Sequence, residues 1–194
     1  MSNETNPATP PPAGDYVLTN FRYLSAYNEL VSRMSQRQQT LALFIAIFTG
    51  LVTALIATRE IFKTDHSSIV WVMVGFPMAS IMLTLLNYKY ETLISLVREY
   101  LADLERVKDA DGHYPSFNCD HKLIMRSNRA RYFHDLSCAA LIAGCNTAAI
   151  GVYISICGKV VTPYPSVIGM IAVVGFGCVV AHLFLRRVYY TPKG

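Results

Sequence analysis

The chain has 194 residues, a formal net charge of +4 and a mean hydropathy of +0.32. Hydrophobic residues make up 53% and charged residues only 15%, against about 25% charged in soluble domains. That balance excludes a largely disordered chain, argues against an ordinary soluble enzyme, and points to lipid.

In chain order, residues 1–15 are rich in Pro, Thr and Asn, with no basic start and no apolar run. They are expected to be a disordered tail and not a signal peptide. Residues 16–39 read as an amphipathic helix. Val17, Phe21, Leu24, Tyr27, Val31 and Met34 recur every three or four positions. No Pro or Gly separates Asp15 from Gly50, so this helix is expected to run straight into the first apolar span, Gln38 to Thr58. A bilayer crossing needs about 20 mostly apolar residues, and three more stretches supply them: Ser67 to Tyr88, Leu136 to Gly158, and Val160 to Leu185. The useful part of the last begins near Ser166, after Pro163 and Pro165.

Between the second and third spans the pattern changes. Leu93, Val97, Tyr100, Leu104 and Val107 form a heptad-like seam over Tyr88 to Lys108. Asp109-Ala110-Asp111-Gly112 is a stop signal. A loop through Tyr114-Pro115-Ser116 follows, and Asn118 or Asp120 is placed to cap the next helix. The expected fold is therefore an all-α integral membrane protein. Four transmembrane helices form two hairpins (40–88 and 136–187), and cytosolic helices (16–39 and 89–135) protrude, with a tail at 188–194. The alternating layout is consistent with two copies of a two-span unit, or with any four-span protein.

Fourteen of the seventeen Lys and Arg lie before span one, between spans two and three, or after span four. Only Arg59, Lys63 and Lys159 fall in the two short turns. The positive-inside rule then puts both termini and the middle segment in the cytoplasm.

Small residues recur along the spans: Ala42, Ala46, Gly50 and Ala54; Ala140, Gly144 and Ala148; Ala143, Thr147 and Gly151; Gly169, Gly177 and Ala181. Such stripes let helices approach closely in lipid, either within one bundle or between subunits. Pro77 should loosen span two, as a hinge or as a Pro its neighbours tolerate.

No HExxH, CxxC, GxSxG or phosphate-loop pattern occurs, and the five His are dispersed. No enzyme activity and no cofactor or metal is expected. Cys138, Cys145, Cys157 and Cys178 read as packing residues. His182, near the end of span four, reads as a hydrogen-bonded or snorkelling residue. Asn146 and Thr147, midway along span three, are candidates for a pore wall or an interhelical bond. No span carries Asp, Glu, Lys or Arg, which argues against a proton-coupled pump and fits either a pore or a protein that transports nothing.

One feature carries charge chemistry. Lys122, Arg126 and Arg129 are spaced to share a helical face, with Arg131 and Tyr132 beside them, and Arg33 and Arg37 lie at the matching level before span one. One reading is contact with anionic lipid, which also sets topology. The other is a site for a nucleotide or single-stranded oligonucleotide, with phosphates on Arg and Lys and bases on the aromatics. The residue types alone do not separate the two.

The layout, a basic helix over Tyr23 to Gln39 feeding a two-span hairpin and then a long cytosolic helix, resembles the SLATT-type membrane effectors of bacterial conflict systems. Two such units in one short chain are also similar to the membrane component of Hailong-type anti-phage systems. The resemblance covers roughly residues 16–190 and rests on architecture, with no motif. It implies a homo-oligomeric pore, such as a tetramer, in the bacterial inner membrane. In those families a nucleotidyltransferase makes a nucleotide or oligonucleotide signal, and that signal gates an antiviral ion channel. The competing expectation is a non-conducting scaffold or accessory subunit of a larger complex.

Overall fold

The computed structural model describes residues 19–57, 66–108, 117–157 and 165–192. The N-terminal tail, the two turns with Arg59, Lys63 and Lys159, the stop signal at 109–112 and the loop through Tyr114-Pro115-Ser116 lie outside the described residues, as do Tyr16 and Val17.

Among the described residues there are four α-helices: α1 (Thr19–Ala57), α2 (His66–Lys108), α3 (His121–Cys157) and α4 (Pro165–Phe184). A 3-10 turn over Leu185–Val188 ends the last of them. Each helix is long and apolar enough to cross a membrane, which fits an integral membrane protein. α1 is unbroken from its polar start into its apolar end, and α2 continues through Pro77. The Ser80 hydroxyl donates to the Phe76 carbonyl in the same stretch, at 3.0 Å. At the start of α3, Asp120 is the cap: its carboxylate accepts from the Lys122 and Leu123 amides at 2.7 and 3.2 Å. Asn118 is used differently, its amide groups donating to the Glu105 carboxylate at 3.0 and 2.7 Å.

α1 lies antiparallel along α2, with Leu55 near Ile69, Phe48 edge-on to Phe76 at 5.3 Å, and Tyr23 donating to Glu105 at 3.0 Å. α3 and α4 pair the same way, and α2 touches every other helix. The apolar core is stacked in layers: Leu55, Met73, Phe76, Tyr153 and Ile171 in one, Phe44, Leu83, Ile142 and Cys178 in the next. A smaller cluster of Leu30, Ile94 and Leu101 joins the polar extensions of α1 and α2.

Two expectations shift here. On α1 the buried residue is Leu30, with Tyr23, Ala26 and Met34 packed around it. The Phe21, Leu24, Tyr27, Val31 side of the stripe is exposed. On α2, Ile94, Arg98 and Leu101 are buried, and Tyr100 is exposed. The small-residue stripes also look outward. Ala42, Ala46 and Ala54 are exposed, and a Cβ added at Gly50, Gly144, Gly151, Gly169 or Gly177 would meet no atom within 4 Å. The glycines that bring helices together are others: Gly75 against Leu51, and Gly175 against Asn146.

Candidate anion-binding groove

The apolar helices end in a band of buried polar groups. Arg37 (α1) pairs with Glu91 (α2) at 2.6 Å and with Asp135 (α3). Arg131 (α3) pairs with the same Glu91. Asp135 also accepts the Tyr189 hydroxyl, and the Arg131 guanidinium lies 4.8 Å over the Tyr189 ring. These five side chains close a ring that joins all three long helices to the C-terminal segment. Its two cations balance its two carboxylates, and all four charged side chains are less than one-tenth exposed. Burying one such charge alone would cost several kcal/mol, so the set is held together by mutual compensation. Burial and the bond to Asp135 push the Tyr189 phenol above its ordinary range.

A second polar layer lies between this ring and the apolar core. His182 is fully buried. Its Nδ1 donates to the Cys178 carbonyl at 3.0 Å, and its Nε2 faces the Asn87 amide at 3.1 Å. Deeper still, Asn146 donates to Ser80 at 2.9 Å and to the Ile142 carbonyl at 2.8 Å.

The C-terminal segment straps the polar end. Ser95 (α2) donates to the Val188 carbonyl at 2.7 Å, and Asn128 (α3) donates to the Tyr190 carbonyl at 2.9 Å. Tyr190 itself is buried against Ala102 and Ile124. Outside the strap lies a cavity of about 600 Å³ lined by Met125, Arg126, Asn128, Arg129, Tyr132, Tyr189 and Thr191. Arg126 and Arg129 are exposed along it.

The seven basic and aromatic candidates are thus divided. Arg126, Arg129 and Tyr132 meet at one groove. Arg37 and Arg131 are buried in the ring, with their charge already met. Lys122 is exposed a turn nearer the start of α3, outside the groove lining. Arg33 is held on α1 by Glu29 and by Gln36, the latter at 2.9 Å. Of the two span-three candidates, Asn146 is taken up by its interhelical bond, and Thr147 is exposed with its hydroxyl on the Ala143 carbonyl at 2.8 Å. Glu91, Asp135, Tyr189 and the strap escaped the sequence reading. One signal was available: Asp135 is the lone acid in a basic run, set directly before span three.

Comparison of the chain with family models, curated proteins and solved structures found no match in any of the three. The described residues define a class: an all-helical fold with four membrane-length apolar helices and a charged end closed by a strap.

Proposed function

We propose that the protein is an oligomeric membrane pore whose cytosolic end takes a nucleotide or a single-stranded oligonucleotide, and that this ligand controls the pore. The observation that carries the reading is the groove. It presents two guanidinium groups, Arg126 and Arg129, beside the rings of Tyr132 and Tyr189. Guanidinium groups suit phosphates, and rings suit stacked bases. Tyr189 belongs both to the groove and to the ion-pair ring, so a ligand would press on the strap that ties the helices together. With fourteen of seventeen basic residues on this side, the groove faces the cytoplasm. On this reading the pore would serve as an antiviral effector of a bacterial inner membrane, with a nucleotidyltransferase as the source of the signal.

The test is ion flux from liposomes holding the purified chain, with and without short single-stranded oligonucleotides. Flux that changes with oligonucleotide is the expected result. In R126A/R129A the response should be lost. The slope of log affinity against log salt should shrink by about 1.4, at about 0.7 per phosphate contact on a single strand. Unchanged binding and slope in that variant would remove the site. The second reading, a non-conducting scaffold, draws on the exposed side chains of Leu24, Tyr27 and Val31. It expects no flux under any condition.

A further inference from the structure

Among the described residues three arginines are buried: Arg37, Arg98 and Arg131. Two of them belong to the ion-pair ring and face carboxylates there. Arg98 does not. It stands on α2 one heptad beyond Glu91 and is only 4% exposed. Its Nη2 donates to the Ser127 Oγ of α3 at 2.9 Å. Its Nε and Nη1 are buried without a hydrogen-bond partner. No carboxylate pairs with it among the described residues.

The acids on its own face of α2 are committed elsewhere. At seven-residue spacing Glu91 and Glu105 lie on the same side of the helix, each about 10 Å away along the axis. Glu91 takes Arg37 and Arg131. Glu105 takes the Tyr23 hydroxyl and the Asn118 amide groups. Arg98 is therefore a buried cation whose charge nothing in the bundle offsets, the costly arrangement that the ring avoids.

Ser127 points to the same kind of ligand. Farther along α3, Ser137 and Thr147 give their hydroxyl protons to the carbonyl one turn back, at 2.9 and 2.8 Å. The Ser127 oxygen accepts from Arg98 instead, and its proton goes to no group among the described residues. Two guanidinium nitrogens and one hydroxyl thus stand together as donors, with one positive charge. Water would meet the donors and leave the charge. An oxyanion only accepts, carries the opposite charge and matches the planar guanidinium.

The place is reachable. Ser127 is only partly buried, so the guanidinium lies one hydroxyl below the surface. Neither Arg98 nor Ser127 lines the groove of Arg126 and Arg129. Along α2, Arg98 lies about 15 Å past Tyr88, where the apolar run ends. A headgroup layer is about 5–8 Å deep, which favours a phosphate in solution over one on a lipid.

We propose that Arg98 and Ser127 form a second anion site, separate from the groove, that holds a phosphate-type oxyanion between α2 and α3. The site stands whether or not the chain conducts ions.

The test uses the full chain in a maltoside detergent, which carries no phosphate. Thermal unfolding is followed as inorganic phosphate replaces chloride at constant ionic strength. The melting temperature of the parent should rise and saturate, because phosphate binds the folded form. It should rise in the same way in R126A/R129A and not at all in R98M. Without phosphate, R98M should be at least as stable as the parent, since an apolar side chain of similar length replaces an uncompensated charge. S127A keeps the guanidinium and should need about tenfold more phosphate for half the rise, the worth of one hydrogen bond to a charged group. An R98M variant that is unfolded, or less stable than the parent without phosphate, overturns the proposal, because Arg98 is then already paired. A rise kept in R98M and lost in R126A/R129A overturns it too and assigns the phosphate to the groove. Phosphatidylglycerol added to the same micelles is the second arm. A rise with this lipid that R98M loses, with none from inorganic phosphate, keeps the oxyanion site and makes its source a headgroup. No rise with either overturns the site.

Discussion

Asp135 and Glu91 set the energetics of the charged end. Each meets a buried guanidinium, and Glu91 meets two. Glu91→Ala therefore leaves Arg37 with Asp135 and takes from Arg131 the carboxylate it pairs with. Removing one partner of a buried pair costs about 3–5 kcal/mol, so a fall in unfolding free energy of that size is expected in detergent-solubilised protein. Arg126→Ala, at an exposed groove position, should stay within about 0.5 kcal/mol. A Glu91→Ala variant as stable as the parent would mean that the ring does not hold the helices. Tyr189 adds a pH arm. Its folded pKa is raised, so the proton it holds contributes stability in full below the unfolded value of about 10. That contribution is lost as pH climbs from there toward the folded value, because the unfolded chain releases the proton first. Between the parent and Tyr189→Phe, the melting temperature difference should narrow above about pH 10. A constant difference across that window would refute the assignment.

At the scale of the elements, much was legible and the rest failed for physical reasons. The unbroken run of α1 and the start of α3 beside Asp120 follow from spacing and a cap. These are local properties of the chain. Which apolar face of α1 turns inward is not local. Its extension bears Leu30 with Ala26 and Met34 on one side and Leu24, Tyr27 and Val31 on another. Periodicity alone weighs the two alike. Within the spans, hydrophobicity no longer marks inside from outside, so a small residue signals close approach without naming the neighbour. Gly175 and Gly169 show the difference. A methyl on Gly175 would sit 3.2–3.3 Å from the Asn146 side chain, which two hydrogen bonds hold in place. Gly175→Ala should cost about 1–3 kcal/mol, while Gly169→Ala meets open space and should gain up to about 1 kcal/mol of helix propensity. Unfolding of the two variants side by side checks both, and equal effects would contradict the α3–α4 packing. The seven-residue site grouping failed in the same way. Charge and spacing collect cations, but only the fold shows that Arg37 and Arg131 are already neutralised by Glu91 and Asp135.

For the molecule as a whole, the question is how an event in the groove reaches the apolar helices. The path runs through contacts, each with an identified partner. The groove is walled by Tyr189 and Thr191 of the strap. The strap is pinned to α2 by Ser95 and to α3 by Asn128, and its Tyr189 reaches Asp135, which holds Arg37 of α1. A ligand that shifts Tyr189 therefore acts on three helices at once. Under the proposed function, a ligand alters the pore only if it binds two arrangements of this ring with different affinity. Asp135 lies off the groove lining, which makes binding and response separable. In Asp135→Asn, oligonucleotide affinity should hold to within about twofold, the scale of a half-kilocalorie effect, while the change in flux on adding oligonucleotide should disappear. Ser95→Ala, which frees one pin of the strap and touches neither ring nor groove, should weaken the response in the same direction with a smaller loss of stability, near the 1 kcal/mol of a single hydrogen bond. If both variants bind and respond as the parent does, the strap is a passive tie and the route from groove to helices lies elsewhere. If Asp135→Asn loses binding and response together, the ring shapes the groove itself, and binding and gating are one event.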